Sequence, residues 1–457
     1  HEQCIGCNMN YKEQKIQLPQ NVNFIIDTIT QAGYEAYAVG GCIRDSLLGR
    51  EPEDFDITTS ASPFVIKELF PRTVDTGIKH GTVTVLLQKE SYEVTTYRID
   101  GEYEDHRHPK EVIFTANLLE DLKRRDFTIN AMAYNEETGL VDPFGGEEDL
   151  AGRMIRCVGN PVERFTEDAL RMMRAVRFSA QLGYTIEENT RKAIEQLAPS
   201  LHAISAERIQ TELVKLAVSL HPSFLRIAYE TGITAVIMPE FDRCMQTEQN
   251  NPHHCYSVGE HTLHAMENIR ADKILRLTML FHDMGKPQTM TVDEQGIYHF
   301  HGHPEISSNI AKDIMRRLKF DNKTIYYVTN LVRYHDVKVE LRRKAVRHAI
   351  HKIGEDIFPY LFEVKRADFL AQSMYQRAEK EQELQQLQEI YEEIKKNKEC
   401  VSLKDLAVTG KDLIQAGIKE GPEVGSELKK LLALVIEEPE RNTKEYLLAV
   451  VKKDVVE

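Results

Sequence analysis

The sequence predicts an α+β protein in which a small mixed α/β head is followed by a long all-α body. Strand-like patterns rich in β-branched residues occur before Gly145-Gly146, and helical periodicity continues from there to the end. The length of 457 residues corresponds to about three domains. We therefore expect one unit that contains a sheet, followed by helical units.

The strands of the head are predicted from short runs of β-branched and aromatic residues. Two runs, at residues 81–87 and 92–98, are nearly adjacent and predict a hairpin. The other predicted strands are residues 36–39, which lead into two glycines, and residues 55–58 and 112–114. Farther along, residues 202–220 and 371–398 are predicted to be helical, and the second of these is expected to be mostly solvated.

Composition and charge exclude several classes of protein. Hydrophobic residues make up 42% and charged residues 28%, which excludes disordered, collagen-like and disulfide-scaffold proteins. No apolar run approaches the roughly 18 residues that span a bilayer, and the N-terminal stretch lacks the apolar region of a secretory signal. The seven cysteines are an odd number and are scattered along the chain, and with no secretory signal we expect a reducing, cytoplasmic environment. The net charge of −14 means that any phosphate-binding surface must come from local basic clusters.

The first chemical signal is a pair of glycines after the first predicted strand. Gly40 and Gly41 precede a predicted helix that carries Arg44. Glycines at such a junction let backbone N–H groups approach a phosphate, whose charge a helix N-terminus favours. A glycine pair alone is a weak signal, because most such pairs are simple turns.

Two carboxylates follow on a strand-like stretch. Alternation places Asp54 and Asp56 on the same face and turns Phe55 towards the core. Carboxylates this close repel each other unless cations lie between them, and Mg²⁺ is the natural partner of oxygen ligands. A carboxylate pair beside a phosphate site is what two-metal phosphoryl transfer requires. The alternative is that both residues merely flank a turn after Pro52.

A charged run at residues 123–126 ends where we expect an apolar helix to begin. Arg125 has a planar guanidinium that can hold a triphosphate. Asp126 can accept hydrogen bonds from a ribose hydroxyl, or it can cap the helix.

One carboxylate and three arginines recur at intervals of three residues, and we expect them to lie along one face of a single helix: Asp168, Arg171, Arg174 and Arg177. A carboxylate only accepts hydrogen bonds and a guanidinium only donates them, so the two together complement an amino group beside an unprotonated ring nitrogen. Cytosine and adenine present that edge, whereas uracil and guanine would leave buried groups unpaired. The alternative is a solvated amphipathic face.

The motifs GGCIRD, DFD, RRDFTINAMA, DPFGGEEDL and EDALRMMRAVRF, with a loop at residues 98–114, resemble the class II tRNA nucleotidyltransferase and poly(A) polymerase family. The resemblance implies a nucleotidyltransferase head on a helical neck, body and tail, and a catalytic Mg²⁺ site at Asp54 and Asp56. It implies a nucleotide site in which Gly40, Gly41, Arg44 and Arg125 contact the triphosphate, Asp126 the ribose, and Asp168 and Arg171 the base, supported by Arg174 and Arg177. The loop resembles the family's flexible loop, which weighs against an enzyme that adds only CC.

A second group of histidines and aspartates lies in helical segments between residues 259 and 373. The adjacent His282 and Asp283 need polar partners if they are buried, and a metal supplies them. The pattern resembles the HD phosphohydrolase superfamily. It implies a divalent transition metal or Mg²⁺ bound by His261, His282, Asp283 and Asp368, with His303 and His335 supporting a second ion or a phosphate. The alternative is a site without catalytic activity.

These resemblances predict an N-terminal extension (1–20), a nucleotidyltransferase head (21–150), a helical neck and RNA-binding body (151–250), an HD domain (251–375) and a helical tail (376–457). The predicted function is template-independent addition or repair of the 3′-terminal CCA of tRNA from CTP and ATP. Three alternatives stay open: an A-adding enzyme, a poly(A) polymerase, and an HD phosphohydrolase that acts on RNA ends or nucleotides. No membrane partner is expected, and the sequence assigns no oligomeric state.

Overall fold

The computed structural model describes residues 16–100 and 112–457. The chain divides into two compact units, of which the first ends at Pro239 and the second begins at Glu240. The predicted loop and the predicted N-terminal extension therefore lie partly outside the described residues. None of the helices in the described ranges has the length and apolar character that crossing a bilayer requires.

A seven-stranded mixed sheet forms the core of the head, which confirms the predicted α+β class. The strands of the first unit are β1 (Ala36–Val39), β2 (Asp56–Thr59), β3 (Thr73–Gly77), β4 (Thr82–Leu87), β5 (Glu90–Thr96), β6 (Arg98–Asp100), β7 (Val112–Phe114), β8 (Ala133–Asn135), β9 (Gly139–Val141), β10 (Met154–Ile155) and β11 (Thr185–Ile186). The sheet order is β3-β4-β5-β2-β1-β8-β9, in which β2 and β5 are parallel and the other neighbours antiparallel.

The predicted strands and hairpin are present, and their residue patterns explain their places in the sheet. In the hairpin of β4 and β5, Val85 is opposite Tyr92, and both side chains are buried. Strand β1 lies inside the sheet between β2 and β8 and is buried along its whole length, as expected for a strand covered on both faces. The sequence did not predict β3, or the hairpin of β8 and β9.

The helices of the first unit surround the sheet and continue beyond it. They are α1 (Gln20–Gln31), α2 (Gly41–Leu47), α3 (Pro63–Leu69), α4 (Leu118–Lys123), α5 (Gly146–Gly152), α6 (Pro161–Glu167), α7 (Leu170–Leu182), α8 (Glu188–Leu197), α9 (Ala206–Ala217), α10 (Leu225–Glu230) and α11 (Ile233–Ile237), and α12 (Pro239–Met245) begins at the unit's last residue. The predicted helix at residues 202–220 corresponds to α9, which Ser205 caps by accepting the N–H of Arg208.

Two helix predictions in this unit are wrong. The segment after Asp126 forms a single 3₁₀ turn, Thr128–Asn130, and then strand β8, because a short apolar run does not distinguish a buried strand from a helix. The expected continuous helix carrying Asp168 and the three arginines is broken between α6 and α7. Asp168 has extended backbone angles there, and its side chain accepts the N–H of Leu170.

The second unit is mostly helical. Its elements are α13 (Val258–Glu267), α14 (Lys273–Phe281), α15 (Lys286–Thr289), β12 (Thr291–Val292), β13 (Tyr298–His299), α16 (His303–Arg317), α17 (Asn322–Tyr334), α18 (Arg343–Ile353), α19 (Leu361–Leu370), α20 (Arg377–Lys396), α21 (Gly410–Gln415), α22 (Pro422–Glu437) and α23 (Lys444–Val456). The predicted solvated helix corresponds to α20, which starts at Arg377 rather than residue 371. It buries one stripe, formed by Leu384, Leu387, Tyr391 and Ile394.

Candidate nucleotide site and metal centre

A cavity of about 510 Å³ in the first unit collects the residues that the sequence assigned to nucleotide binding. All nine line it: Gly40, Gly41, Arg44, Arg125, Asp126, Asp168, Arg171, Arg174 and Arg177. Asp56 also lines the cavity, whereas Asp54 is exposed outside its lining. The structure therefore places one of the two predicted metal-binding carboxylates at the cavity wall.

The two glycines lie where β1 ends and α2 begins. Gly40 has a φ of +83°, a conformation that L side chains rarely adopt, and its N–H donates to the carbonyl of Met132. A Cβ on Gly40 would lie 3.5 Å from Nη1 of Arg125, and one on Gly41 would lie 3.4 Å from Nη2 of Arg44. Both guanidinium groups are therefore packed directly against the glycine backbone.

Neighbouring polar groups hold these two arginines in place. Arg44 donates from Nη1 to Oδ1 of Asn130 at 2.6 Å. Nη2 of Arg125 lies 3.5 Å from Oδ2 of Asp121, a fully buried carboxylate that also accepts the hydroxyl of Thr58 at 2.9 Å. Burial raises the pKa of Asp121, but Arg125 and then Arg124 outweigh it, and the pKa lies below its ordinary value. A carboxylate kept ionised in this way orients Arg125.

Three carboxylates gather where β2 and β5 run in parallel. Asp56 opens β2 and pairs in register with Glu93 of β5, so both lie on the same face of the sheet. Asp56 is exposed at the surface, yet partial loss of hydration is the largest cause that raises its pKa, followed by the charge of Glu93, while Arg125 lowers it and Asp54 raises it further. Such mutual repulsion among oxygen donors is the setting that a divalent cation relieves. Phe55 is only half-buried, so its predicted place in the core is wrong.

Asp126 is held by α7. Its Oδ2 accepts from Nε of Arg174 at 2.7 Å, and its Oδ1 accepts from its own chain neighbour Phe127 and from Asn130. Burial raises the pKa of this carboxyl, but Arg174 and Arg171 outweigh it and lower the pKa to about 2. Asp126 is therefore an ionised acceptor at the cavity wall rather than the cap of a helix.

A second carboxylate anchors the middle of α7. Arg177 donates from Nε and Nη2 to both oxygens of Glu212 on α9, at 2.7 and 3.2 Å. The ring of Phe178 lies beneath three guanidinium groups, those of Arg44, Arg174 and Arg177, with distances of 4.0–5.3 Å to the ring centroid. This arrangement concentrates positive charge on one wall of the cavity.

The two residues expected to read the base have separate partners. The carboxylate of Asp168 is paired with the guanidinium of Arg208, from α9. Arg171 donates from Nη1 to Oε2 of Glu167 at 2.7 Å and from Nη2 to the carbonyl of Arg124 at 3.0 Å. Both base-reading candidates line the cavity, and each has an ionic partner that the sequence did not suggest.

In the second unit, the four predicted HD ligands converge. His261 lies on α13, His282 and Asp283 follow α14, and Asp368 lies on α19. One potential ligand atom from each lies within 4.8 Å of the others. Nε2 of His261 and Nε2 of His282 are 3.1 Å apart, and they lie 2.8 and 3.2 Å from Oδ1 of Asp368.

The hydrogen bonds of the imidazoles suit metal binding. Nδ1 of His261 lies 3.2 Å from the carbonyl of Ala371, and Nδ1 of His282 lies 2.6 Å from that of Met279. A proton on each Nδ1 leaves Nε2 as a ligand, which is the usual arrangement of metal-binding histidines.

Asp283 links this group to a second one. Its Oδ1 lies 3.2 Å from Nε2 of His303 and 3.7 Å from Nε2 of His335. Its Oδ2 is buried and accepts no hydrogen bond from the described residues. Burial raises the pKa of Asp283, but His282 and Lys286 hold it well below its usual range. This buried, ionised oxygen lies 3.2 Å from Nε2 of His282, 3.4 Å from Nε2 of His261 and 3.2 Å from Nζ of Lys286. The two imidazole nitrogens beside it fit a divalent metal ion, and the ammonium group adds to the positive charge around the carboxylate.

Several residues in or beside the nucleotide cavity were not found from the sequence. Glu93, the neighbour of Asp56 outside the cavity lining, could have been found, because Tyr92 and Val94 are buried and strand alternation turns Glu93 to the opposite face with Asp56. Asn130 and Arg208 gave no signal, since their partners lie 86 and 40 residues away along the chain.

Models of known families match three parts of the chain. The Poly A polymerase head domain matches residues 36–156, an RNA-binding region of polymerase A matches residues 183–245, and tRNA nucleotidyltransferase domain 2 matches residues 288–451.

Proteins of known function are similar over different lengths. A CCA-adding enzyme of Lactobacillus helveticus is 55% identical over 43% of this chain, so the chain spans about half (49%) of that relative's length in this alignment. A CCA-adding enzyme of Levilactobacillus brevis is 37% identical over 93% of this chain and 96% of its own length. Among solved structures, the Bacillus stearothermophilus CCA-adding enzyme in complex with CTP is 33% identical, with a TM-score of 0.72 over 96% of this chain and 98% of that one.

Proposed function

The chain belongs to the family of CCA-adding enzymes, the tRNA nucleotidyltransferases, and from this we propose that it adds or repairs the 3′-terminal CCA of tRNA, using CTP and ATP, with the nucleotide site in its first unit. The observation that carries the proposal is that one cavity is lined by the glycine pair, by Asp56, Asp126 and Asp168, and by the three arginines of α7. In the reaction the 3′-hydroxyl of the tRNA attacks the α-phosphate, a phosphodiester bond forms, and pyrophosphate leaves.

The carboxylates of the head fit a divalent metal ion, which transferases of this family generally use. Because carboxylates offer oxygen ligands, they favour Mg²⁺. Asp54 and Asp56 are the proposed ligands, and Glu93 adds a third carboxylate on the same face of the sheet. When bound, Mg²⁺ lowers the pKa of the attacking hydroxyl and balances the charge of the triphosphate. The protein's own contribution is to fix Asp56 and Glu93 on two paired strands, with Asp54 in the segment that leads into β2.

The triphosphate has a proposed place against the glycines. Gly40 and Gly41 have no side chains to prevent close approach, and Arg44 and Arg125 lie against them with their guanidinium groups held by Asn130 and Asp121. Planar guanidinium groups bind phosphate oxygens in pairs, and fixed ones lose little entropy when they do so.

The ribose and the base are proposed to lie along α7. Asp126 is ionised and buried, so it can accept a hydrogen bond from a ribose hydroxyl. Asp168 accepts from the amino group of cytosine or adenine, and Arg171 donates to the neighbouring ring nitrogen. Arg174 and Arg177 fix the helix through Asp126 and Glu212.

An A-adding enzyme and a poly(A) polymerase are the nearest alternatives, and product sequencing separates them. Purified protein is incubated with tRNA transcripts that end before CCA, after CC, or after CCA, with CTP and ATP singly and together. The proposal expects CCA on the first transcript, a single A on the second and no addition to the third. Addition of A alone, or of a long A tract, contradicts it.

A second activity is supported by the converging HD residues of the other unit. His261, His282, Asp283 and Asp368 can hold one divalent ion, and His303 and His335 with Asp283 can hold a second ion or a phosphate. Imidazole ligands favour a transition metal over Mg²⁺ at this site. We propose that this unit is a metal-dependent phosphohydrolase that acts on phosphate esters of RNA ends or nucleotides.

The two activities can be tested against each other in the full-length protein. Asp54→Ala should abolish nucleotide addition and leave hydrolysis of 2′,3′-cyclic nucleotides unchanged. His282→Ala should remove the hydrolysis and leave addition unchanged. If the wild-type protein with added Mn²⁺, Ni²⁺, Co²⁺ or Mg²⁺ hydrolyses neither cyclic nor monoester phosphates, the hydrolase proposal is wrong and the transferase proposal stands on its own assay.

A further inference from the structure

A bidentate ion pair forms part of the wall of the nucleotide cavity. Arg208 donates from Nη1 to Oδ1 of Asp168 at 3.2 Å and from Nη2 to Oδ2 at 2.8 Å. Both side chains are mostly buried and both line the cavity. An arginine that contacts both oxygens of a carboxylate fixes the plane of that carboxylate as well as balancing its charge.

The elements on both sides of this pair are themselves anchored. Oδ1 of Asp168 also accepts the N–H of Leu170 at 3.2 Å, which ties it to the start of α7. Arg208 lies one helical turn before Glu212 on α9, and Glu212 is paired with Arg177 of α7 in a nearly fully buried contact. The pair therefore joins the short break between α6 and α7 to α9, and α7 and α9 are themselves fixed to each other.

We propose that Arg208 is a positioning residue for base selection, which holds the carboxylate of Asp168 in the plane that accepts the amino group of cytosine or adenine. This inference rests on the proposed base-reading role of Asp168. Each carboxylate oxygen has more than one acceptor position, so the fork of Arg208 leaves capacity for the base.

Fixing the carboxylate matters most for the wrong bases. Uracil and guanine place a carbonyl oxygen where cytosine and adenine place an amino group. A carboxylate held in one plane cannot turn away from that oxygen, so two acceptors face each other without a proton between them. Exclusion by an unpaired polar group is much stronger than exclusion by shape alone. A carboxylate free to rotate loses this effect while it still accepts from the correct base.

The test is Arg208→Lys, which keeps the positive charge but removes the fork. Values of kcat/KM are measured for CTP and UTP on tRNA that ends before CCA, and for ATP and GTP on tRNA that ends in CC. The ratios of CTP to UTP and of ATP to GTP should both fall by about tenfold or more, mainly because the wrong nucleotides are used faster. Arg191→Lys is the matched control, since Arg191 makes a partly exposed pair with Glu230 at 2.7 Å, and it should leave both ratios unchanged.

Two results would overturn the inference. Equal loss of kcat/KM for all four nucleotides would show that Arg208 only supports the structure. Tighter nucleotide binding with unchanged ratios would show that Arg208 only blocks the site. If thermal unfolding shows that the lysine variant is not folded, Arg208→Gln is measured by the same criteria. A wild-type protein that adds no nucleotide contradicts the proposed function, whereas a selective wild type with an equally selective folded variant contradicts only this inference.

Discussion

We expect Asp126→Asn to lower the free energy of unfolding of the first unit by about 2 kcal/mol at pH 7. The carboxyl is 8% exposed and accepts from Arg174 at 2.7 Å. Burial opposes ionisation, yet Arg174 and Arg171 lower the pKa from 3.8 to about 2. A difference of this size corresponds to about 2 kcal/mol of stabilisation in the ionised state.

The loss should appear as a lower Tm. For a unit of this size, 1 kcal/mol shifts Tm by about 2–4 °C, so we expect a decrease of about 4–8 °C. Calorimetry of the full-length protein measures it. Asp27→Asn is the control, since Asp27 lies exposed on α1, and it should leave Tm within about 1 °C, as surface substitutions usually do.

The stabilisation that Asp126 provides should also depend on pH, and it should decrease as the pH is lowered. Because the pKa of Asp126 is lower in the folded protein, its stabilisation is fully present above the unfolded value near 4 and is lost as the pH falls towards 2. The Tm difference between wild type and Asp126→Asn should therefore be constant from pH 8 to pH 5 and should shrink below about pH 4. A difference below 1 °C at pH 7, or one that grows as the pH is lowered, would refute the assigned ion pair.

Three further predictions concern the metal and phosphate sites. Glu93→Gln should lower the affinity for Mg²⁺ by about 10- to 100-fold, seen in a titration as a higher Mg²⁺ concentration for half-maximal nucleotide addition. Glu53→Gln, at an exposed position, is the control and should leave that concentration unchanged. Gly40→Ala should cost about 1–3 kcal/mol in thermal unfolding, because alanine is strained at a φ of +83°, while Gly152→Ala, which meets only an ordinary contact with Met154, should be nearly neutral. Removal of divalent metal by a chelator should lower the Tm of the wild-type protein, and the free energy of unfolding should fall by about 2.7 kcal/mol if the metal had been present at 100 times its Kd. The same treatment should lower the Tm of His282→Ala much less. Equal Tm shifts in both proteins would exclude the HD residues as the metal ligands.

Much of the head could be predicted from residue patterns, and the failures have physical causes. The predicted strands β4 and β5 carry β-branched or aromatic residues over most of their length, whereas β3 has one large apolar residue, Val74, and gave no such signal. The segment after Asp126 is short and apolar, and burial within a sheet decided its conformation.

The sequence predicted which residues form the site, but not which of them form ion pairs and hydrogen bonds with one another. Spacing by three suggested one helix for Asp168 and the arginines of α7, but side-chain capping at Leu170 breaks the helix there. The ion pair of Asp168 with Arg208 joins residues 40 positions apart, and no local pattern encodes such a distance. The HD residues came from a resemblance, and His261 and Asp368, which are 107 positions apart, lie in contact.

The most direct test of the head is the rate of single-nucleotide addition by Asp56→Asn compared with wild type. Both proteins are given CTP, Mg²⁺ and tRNA that ends before CCA, and the product is resolved to one nucleotide. If Asp56 at the start of β2 helps to hold the metal that the transfer needs, the rate should fall by about 10³-fold or more. The Tm should be unchanged or raised, because the repulsion from Glu93 and Asp54 is relieved. A folded variant that adds CTP within a few-fold of the wild-type rate would contradict this assignment.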